Sequence, residues 1–126
     1  MKRLIAVVIL LIFIISICYI GNLTVTKVHD LTISELNDCE AAILNSDNTK
    51  AASKARLAVS YWKRNRIFLS FFINHSRYDA VEIALVKASK LSASRDLPGA
   101  LEECAEARVI LREIYEEQHL SIVNNF

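Results

Sequence analysis

The sequence predicts an all-α protein, an N-terminal transmembrane helix followed by a small up-and-down helical bundle. The first observation behind this is an uncharged apolar run from Leu4 to Ile20, directly after Lys2 and Arg3. The second is composition: one Pro and two Gly in 126 residues leave few turn signals. Ala, Leu, Glu, Lys and Arg dominate the chain beyond the run, which suits helices and not a sandwich or barrel. The third is that apolar residues beyond the run recur at helical spacing.

The segments in chain order are a cytoplasmic tail (1–3), a transmembrane signal anchor (4–23) and an extracytoplasmic bundle (24–126). With Gly21–Leu23 included, the apolar segment reaches about 20 residues, which at 1.5 Å per residue matches the roughly 30 Å hydrocarbon core. A cleaved signal peptide fits less well, because its apolar region is usually about 7–15 residues and ends in a small-x-small site. Tyr19 stands where a small residue is wanted before a cut after Gly21, and Ile17 blocks lipoprotein processing at Cys18. Lys2 and Arg3 are the only charges on the short side, so the positive-inside rule places the N-terminus in the cytoplasm of a single-pass cell-membrane protein.

Helices are predicted at about 24–44 (continuing the membrane helix), 48–73, 77–93 and 97–120. Asn45-Ser46-Asp47-Asn48 separates the first two, with Asp47 as N-cap. Asn74-His75-Ser76 is a softer break, with Ser76 as cap and Asp79 completing a shortened capping box. Arg95-Asp96-Leu97-Pro98-Gly99 opens the last helix, with Asp96 as cap and Pro98 in the tolerated first turn. The apolar stripes are Ala51, Ala55, Ala58, Val59, Trp62, Leu69 and Ile73 in the second helix; Val81, Ala84, Leu85, Ala88 and Leu91 in the third; and Ala100, Cys104, Ala107, Leu111, Ile114 and Tyr115 in the fourth. Their many alanines permit close packing, and the short connections lead to an up-and-down bundle. A faint echo links Asp47, Ala51, Ala55, Ala58 and Trp62 to Asp96, Ala100, Cys104, Ala107 and Leu111 at a constant offset. It looks like two helical-repeat hairpins, although stable repeat arrays need about three units.

One segment combines features that suit a surface. A second helix returning towards the membrane brings down Trp62, Lys63, Arg64, Arg66, Phe68, Phe71 and Phe72 together. Aromatics at headgroup depth with Lys and Arg reaching phosphates build interfacial helices, and the plainer reading makes the aromatics bundle core. From Asp47 to Asp79 no acid intervenes, while Lys50, Lys54, Arg56, Lys63, Arg64, Arg66 and Arg77 do. Arg66 falls among core positions, so it is expected to meet an acid, Glu82 first, or to emerge at the bundle's end. Glu102, Glu106, Glu113 and Glu117 make an exposed acidic ridge on the last helix.

Recognised chemistry is missing. Of the 15 basic residues, Lys2 and Arg3 precede the run; the other 13 face 14 acids, so no basic face suited to nucleic acid is predicted. Cys39 and Cys104 have no metal-ligand spacing; they read as two separate small core residues, with a disulfide between them as the alternative. No nucleophile elbow, phosphate loop or dinucleotide fingerprint occurs. His75 near Ser76 and Asp79 is better explained by helix capping than by catalysis. No catalytic residue, metal site or cofactor is therefore predicted, and no small-molecule substrate.

The stretch Trp62 to Leu85, with Phe71-Phe72-Ile73-Asn74-His75-Ser76 followed by Asp79 and Glu82, and the ending Leu120-Ser121-Ile122-Val123-Asn124-Asn125-Phe126 resemble a family of short bacterial single-span proteins. That family carries a domain-of-unknown-function label. The resemblance implies a Gram-positive-type envelope protein and marks Trp62, His75, Asp79, Glu82, Asn124 and Phe126 as pattern positions. It brings no activity with it. The expectation is a membrane-anchored, non-enzymatic interaction or accessory protein of the bacterial cell envelope, partnered by another envelope or membrane protein. The alternative is a module binding the membrane surface or an anionic polymer through the segment Trp62 to Phe72.

Overall fold

In the computed structural model residues 1–125 are described, the side chains of His119 and of residues 121–125 excepted. They form five helices: α1 (Lys2–Leu44), α2 (Asn48–Arg64), α3 (Arg66–Ser70), α4 (His75–Ala93) and α5 (Leu97–Asn125). Strands are absent among the described residues, so the chain is all-α.

The apolar run and the first bundle helix are one element. α1 is long and apolar enough to cross a membrane, and its two parts have different surroundings. Residues 1–20 are exposed on every side. From there on Gly21, Val25, Val28, Thr32, Leu36, Cys39, Ala42 and Ile43 are buried, the three-and-four spacing of a helix with one packed face. The bundle therefore begins at Gly21.

The rest of α1 packs with α2, α4 and α5 in a closed ring, α1 against α2, α2 against α4, α4 against α5 and α5 against α1. Neighbours run antiparallel. Trp62, Tyr78, Leu36, Leu69, Leu85 and Leu111 are the largest fully buried side chains. Alanines at 51, 55, 58, 84, 88, 100 and 107 let the backbones approach. Of the predicted stripes, Val59 and Leu91 are half-buried and Tyr115 is 38% exposed; the others are core.

Both distal turns have the same construction. After α1, Ser46 N donates to Ile43 O and Asp47 N to Ala42 O; after α4, Arg95 N donates to Ser92 O and Asp96 N to Leu91 O. These are Schellman turns, which place one residue in the left-handed region. Ser46 (φ 60°) and Arg95 (φ 67°) occupy that position, with no glycine in either. Asp47 then accepts from Lys50 N, and Asp96 from Gly99 N, each at 3.1 Å, so both predicted caps are in place. The sequence echo thus corresponds to two matching hairpins, and all the echoed alanines, with Cys104, Trp62 and Leu111, are buried.

The third connection differs from expectation. The predicted helix over 48–73 breaks at Asn65 and ends again after Ser70. Asn65 turns its side chain back to Tyr61 O at 2.8 Å, the competition with helical bonding that makes Asn a poor interior residue. The next helix begins at His75, earlier than expected, and its cap is Asn74, which accepts from Ser76 N at 2.8 Å. Ser76 is thereby inside the first turn and is not the cap.

Ion pairs tie neighbouring helices. Lys54 lies 3.5 Å from both Glu35 and Asp38, which raises its pKa chiefly through Glu35. Arg108 reaches Glu40 at 2.9 Å and Asn37 at 2.6 Å. Arg77 bridges Glu113 and Glu117, so half of the predicted acidic ridge is engaged by α4. Exposed pairs of this kind contribute about 0–1 kcal/mol each; the buried apolar face carries most of the stability.

Candidate functional site

The base of the bundle is the end from which residues 1–20 project. Its construction starts with the stop of α2. Where the helix ends, the last carbonyls lose their intrahelical donors. Tyr61 O receives the Asn65 amide, and Trp62 O receives the Tyr78 hydroxyl at 3.3 Å. Trp62 returns the contact, its Nε1 donating to Tyr78 O at 3.2 Å. The two rings stack with centroids 5.2 Å apart. This reciprocal clasp fixes α2 against α4, and burial pushes the Tyr78 phenol up to about 12.

Below the clasp, α3 turns across the base. Leu69 and Ile73 point into the core, while Ile67 and Phe71 are each 79% exposed. Phe68 and Phe72 are half-buried, their rings 5.1 Å apart. Phe72 lies against Gly21 so closely that a β-carbon there would overlap its ring. Gln118 of α5 donates to Phe72 O, and the exposed Leu120 comes one half-turn later. Phe72, two residues after α3, thus lies at the point where α1 leaves the bundle.

Lys63, Arg64 and Arg66, which flank this segment in the chain, are all exposed. None of them belongs to an ion pair among the described residues. Arg66 sits 6.0 Å from the centre of the Tyr78 ring. The expected contact with Glu82 is not formed, because the break at Asn65 resets the helical phase and carries Arg66 out to the end of the bundle, the other predicted outcome.

The seven residues predicted as a surface therefore divide. Lys63, Arg64, Arg66 and Phe71 are exposed, and Phe68 and Phe72 are half-buried supports. Trp62 is corrected to core, at 1% exposure. Ile67, absent from the predicted set, is as exposed as Phe71; its place off the apolar stripe, about 140° from Trp62 on the helical wheel, is the sequence signal for that exposure.

Residues 19–124 match the model of a family described as a domain of unknown function, DUF4363. The chain belongs to that family. The DUF4363 match starts within two residues of Gly21, so the family domain and the packed bundle coincide, and most of the apolar run precedes it. No curated protein and no solved structure matches the chain. Among the positions that the sequence resemblance singled out, Trp62 is core and Glu82 is half-buried on α4. His75 lies 3.5 Å from Asp79 one turn on, both at the surface of the base. The Asn124 side chain and Phe126 lie outside the described residues. Among the described residues no group of three metal-ligating side chains occurs.

Proposed function

We propose that this DUF4363 protein is a membrane-anchored, non-enzymatic bundle of the bacterial cell envelope that rests its base on the anionic surface of the membrane its own α1 enters. The observation carrying this reading is the pair Ile67 and Phe71, each 79% exposed, close in the chain to the exposed Lys63, Arg64 and Arg66 and to Phe72, which lies against Gly21. With residues 4–20 in hydrocarbon, the level of Gly21 is the headgroup region. Apolar side chains with adjacent cations gain there twice, from partial burial and from anionic lipid, at about 1 kcal/mol per cation. Because α1 already holds the domain at the surface, this energy goes into orienting the bundle. Lys2 and Arg3 place the N-terminus inside and the bundle outside.

The test uses the full chain in vesicles with Phe71→Trp as a depth probe and bromine-labelled acyl chains as quencher. Trp62 is buried and provides a constant background. Strong quenching of the added tryptophan in anionic vesicles is expected, weakened by salt and by Lys63→Glu with Arg64→Glu, since screening acts on exposed charges. No quenching in anionic or neutral vesicles would reject the lipid contact. The patch would then pass to a protein partner, the accessory-subunit reading, which a photo-crosslinking amino acid placed at position 71 in cells would test by recovering that partner.

A further inference from the structure

Cys39 on α1 and Cys104 on α5 are both fully buried, and their sulfurs lie 3.9 Å apart. Cys104 donates to Cys39, Cys39 in turn reaches Ala51 O at 3.3 Å, and the Ser92 hydroxyl stands 4.0 Å from the Cys39 sulfur. Four helices thus converge on one thiol. Ala51, Ala55 and Ser92 around Cys39 are small. Thiols serving only as small apolar fillers have no need to be directed at one another.

We infer that Cys39 and Cys104 form a disulfide site, closed covalently by a disulfide oxidant in an oxidising compartment, which joins α1 to α5. The compartment rests on the outward placement proposed above; the pairing itself does not. The exchange is balanced. The Cys39 thiolate, its proton lost to solvent, attacks one sulfur of the oxidant, breaking its S–S bond and expelling one thiolate. Cys104 then loses its proton and attacks the Cys39 sulfur of the mixed disulfide, expelling the second thiolate. Two protein thiols are oxidised, one small disulfide is reduced to two thiols, and the two protons lost are taken up by the leaving groups. The polarity agrees with the hydrogen bonds. The Cys104 S–H holds the Cys39 thiol below its usual range, while that same bond and burial push Cys104 upward. Where the oxidant enters by local opening with this contact kept, Cys39 is therefore the first nucleophile; before the bundle closes either thiol can attack first, with the same balance. Since both sulfurs are buried, the oxidant must act before the bundle closes or during local opening, and native packing then selects the pair.

The experiment refolds the full chain from denaturant in detergent with oxidised and reduced glutathione. The products are denatured in acid, alkylated with a maleimide, digested and mapped by mass spectrometry. The expected product has one maleimide, on Cys18, and a Cys39–Cys104 linked peptide that reductant separates. Oxidation held in denaturant supplies the contrast, because loop closure there favours the nearer Cys18–Cys39 pair. Cys104→Ala should leave Cys39 open to maleimide, a readout taken in denaturant and so independent of that variant's folding. Maleimide on both Cys39 and Cys104 after oxidative refolding, or Cys18–Cys39 as the main linkage, would overturn the inference. Closure in detergent with both thiols free in cells would uphold the pair and reject the outward placement instead.

Discussion

Trp62 shows why one side chain's role resists reading from sequence. A lone tryptophan beside Lys63 and Arg64 has the composition of an interfacial anchor, and equally of a core residue in the last turn of a helix. The decision rests on Tyr78, sixteen residues away, whose carbonyl and hydroxyl meet the indole and its carbonyl. No local pattern encodes that distant pairing. Trp62→Ala is expected to cost about 3–5 kcal/mol, as large core truncations do, with little change in any lipid contact; thermal melts followed by circular dichroism, beside the quenching assay, would separate the two. Tyr78 itself gives a pH prediction. Its folded pKa is raised from 10.0 to about 12 by burial, with Glu82 adding. An acid so raised stabilises the fold fully below pH 10, and the stabilisation disappears as pH climbs through about 12. Tyr78→Phe should remove that component of alkaline unfolding, seen by tyrosinate absorbance against helical signal. Gly21 adds a steric prediction. Alanine there gains about 1 kcal/mol of helix propensity but displaces the Phe72 ring, at a cost of about 1–3 kcal/mol. A net loss is expected, relieved when Phe72→Leu is added; additive effects of the two changes in melts would contradict the contact.

At the scale of elements, the main helices and three of the four breaks were legible, those before Asn48, His75 and Leu97. Asp47 and Asp96 announce their caps, and the alanine stripes name the buried faces. The break at Asn65 was not. In sequence Trp62, Leu69 and Ile73 fit a single continuous wheel, and only the Asn65 side chain, bonding back to Tyr61, ends the run. Hydrophobic periodicity is blind to that kind of stop. The break also carries Arg66 out of the core phase, while Ile67, five residues after Trp62, already falls off the apolar stripe on the continuous wheel. The distal turns yield a stability prediction. Ser46 and Arg95 occupy left-handed positions that glycine adopts without a β-carbon penalty. Ser46→Gly and Arg95→Gly should each raise stability by about 0.5–1 kcal/mol, measured as a shift in the urea midpoint. No gain at either site would mean that the native side chains stabilise the turns in some further way.

For the whole molecule, composition and spacing foretold the all-α ring because every ring contact is between antiparallel helices joined by short turns, or closed by the first and last. What they left open was which residues meet across that closure. The Cys39–Cys104 approach spans 65 positions, a separation with no periodic signature. Covalent closure of a loop of that length should stabilise the fold by about 4 kcal/mol on the chain-entropy model. Urea unfolding of the full chain with and without reductant would read this as a shift in midpoint, and equal midpoints would rule out a stabilising role for the bond. The hairpin echo had a similar limit: it was visible, yet only the shared Schellman turns and the buried partners give it a physical basis.

α1 has no interruption from Lys2 to Leu44, and this joins the orientation of the domain to that of the anchor. Some 23 residues lie beyond Gly21, a lever of about 35 Å at 1.5 Å per residue. If the helix tilts by about 20° in the bilayer, a common angle, the distal turns sweep sideways by about 12 Å. One side of the base lifts from the headgroups as the other presses in. On the proposed reading, a base gripping the surface on one side of the axis would act as a stop on that tilt. Bilayer thickness, which sets how far a span must lean, would then be a mechanical input to how this domain is presented.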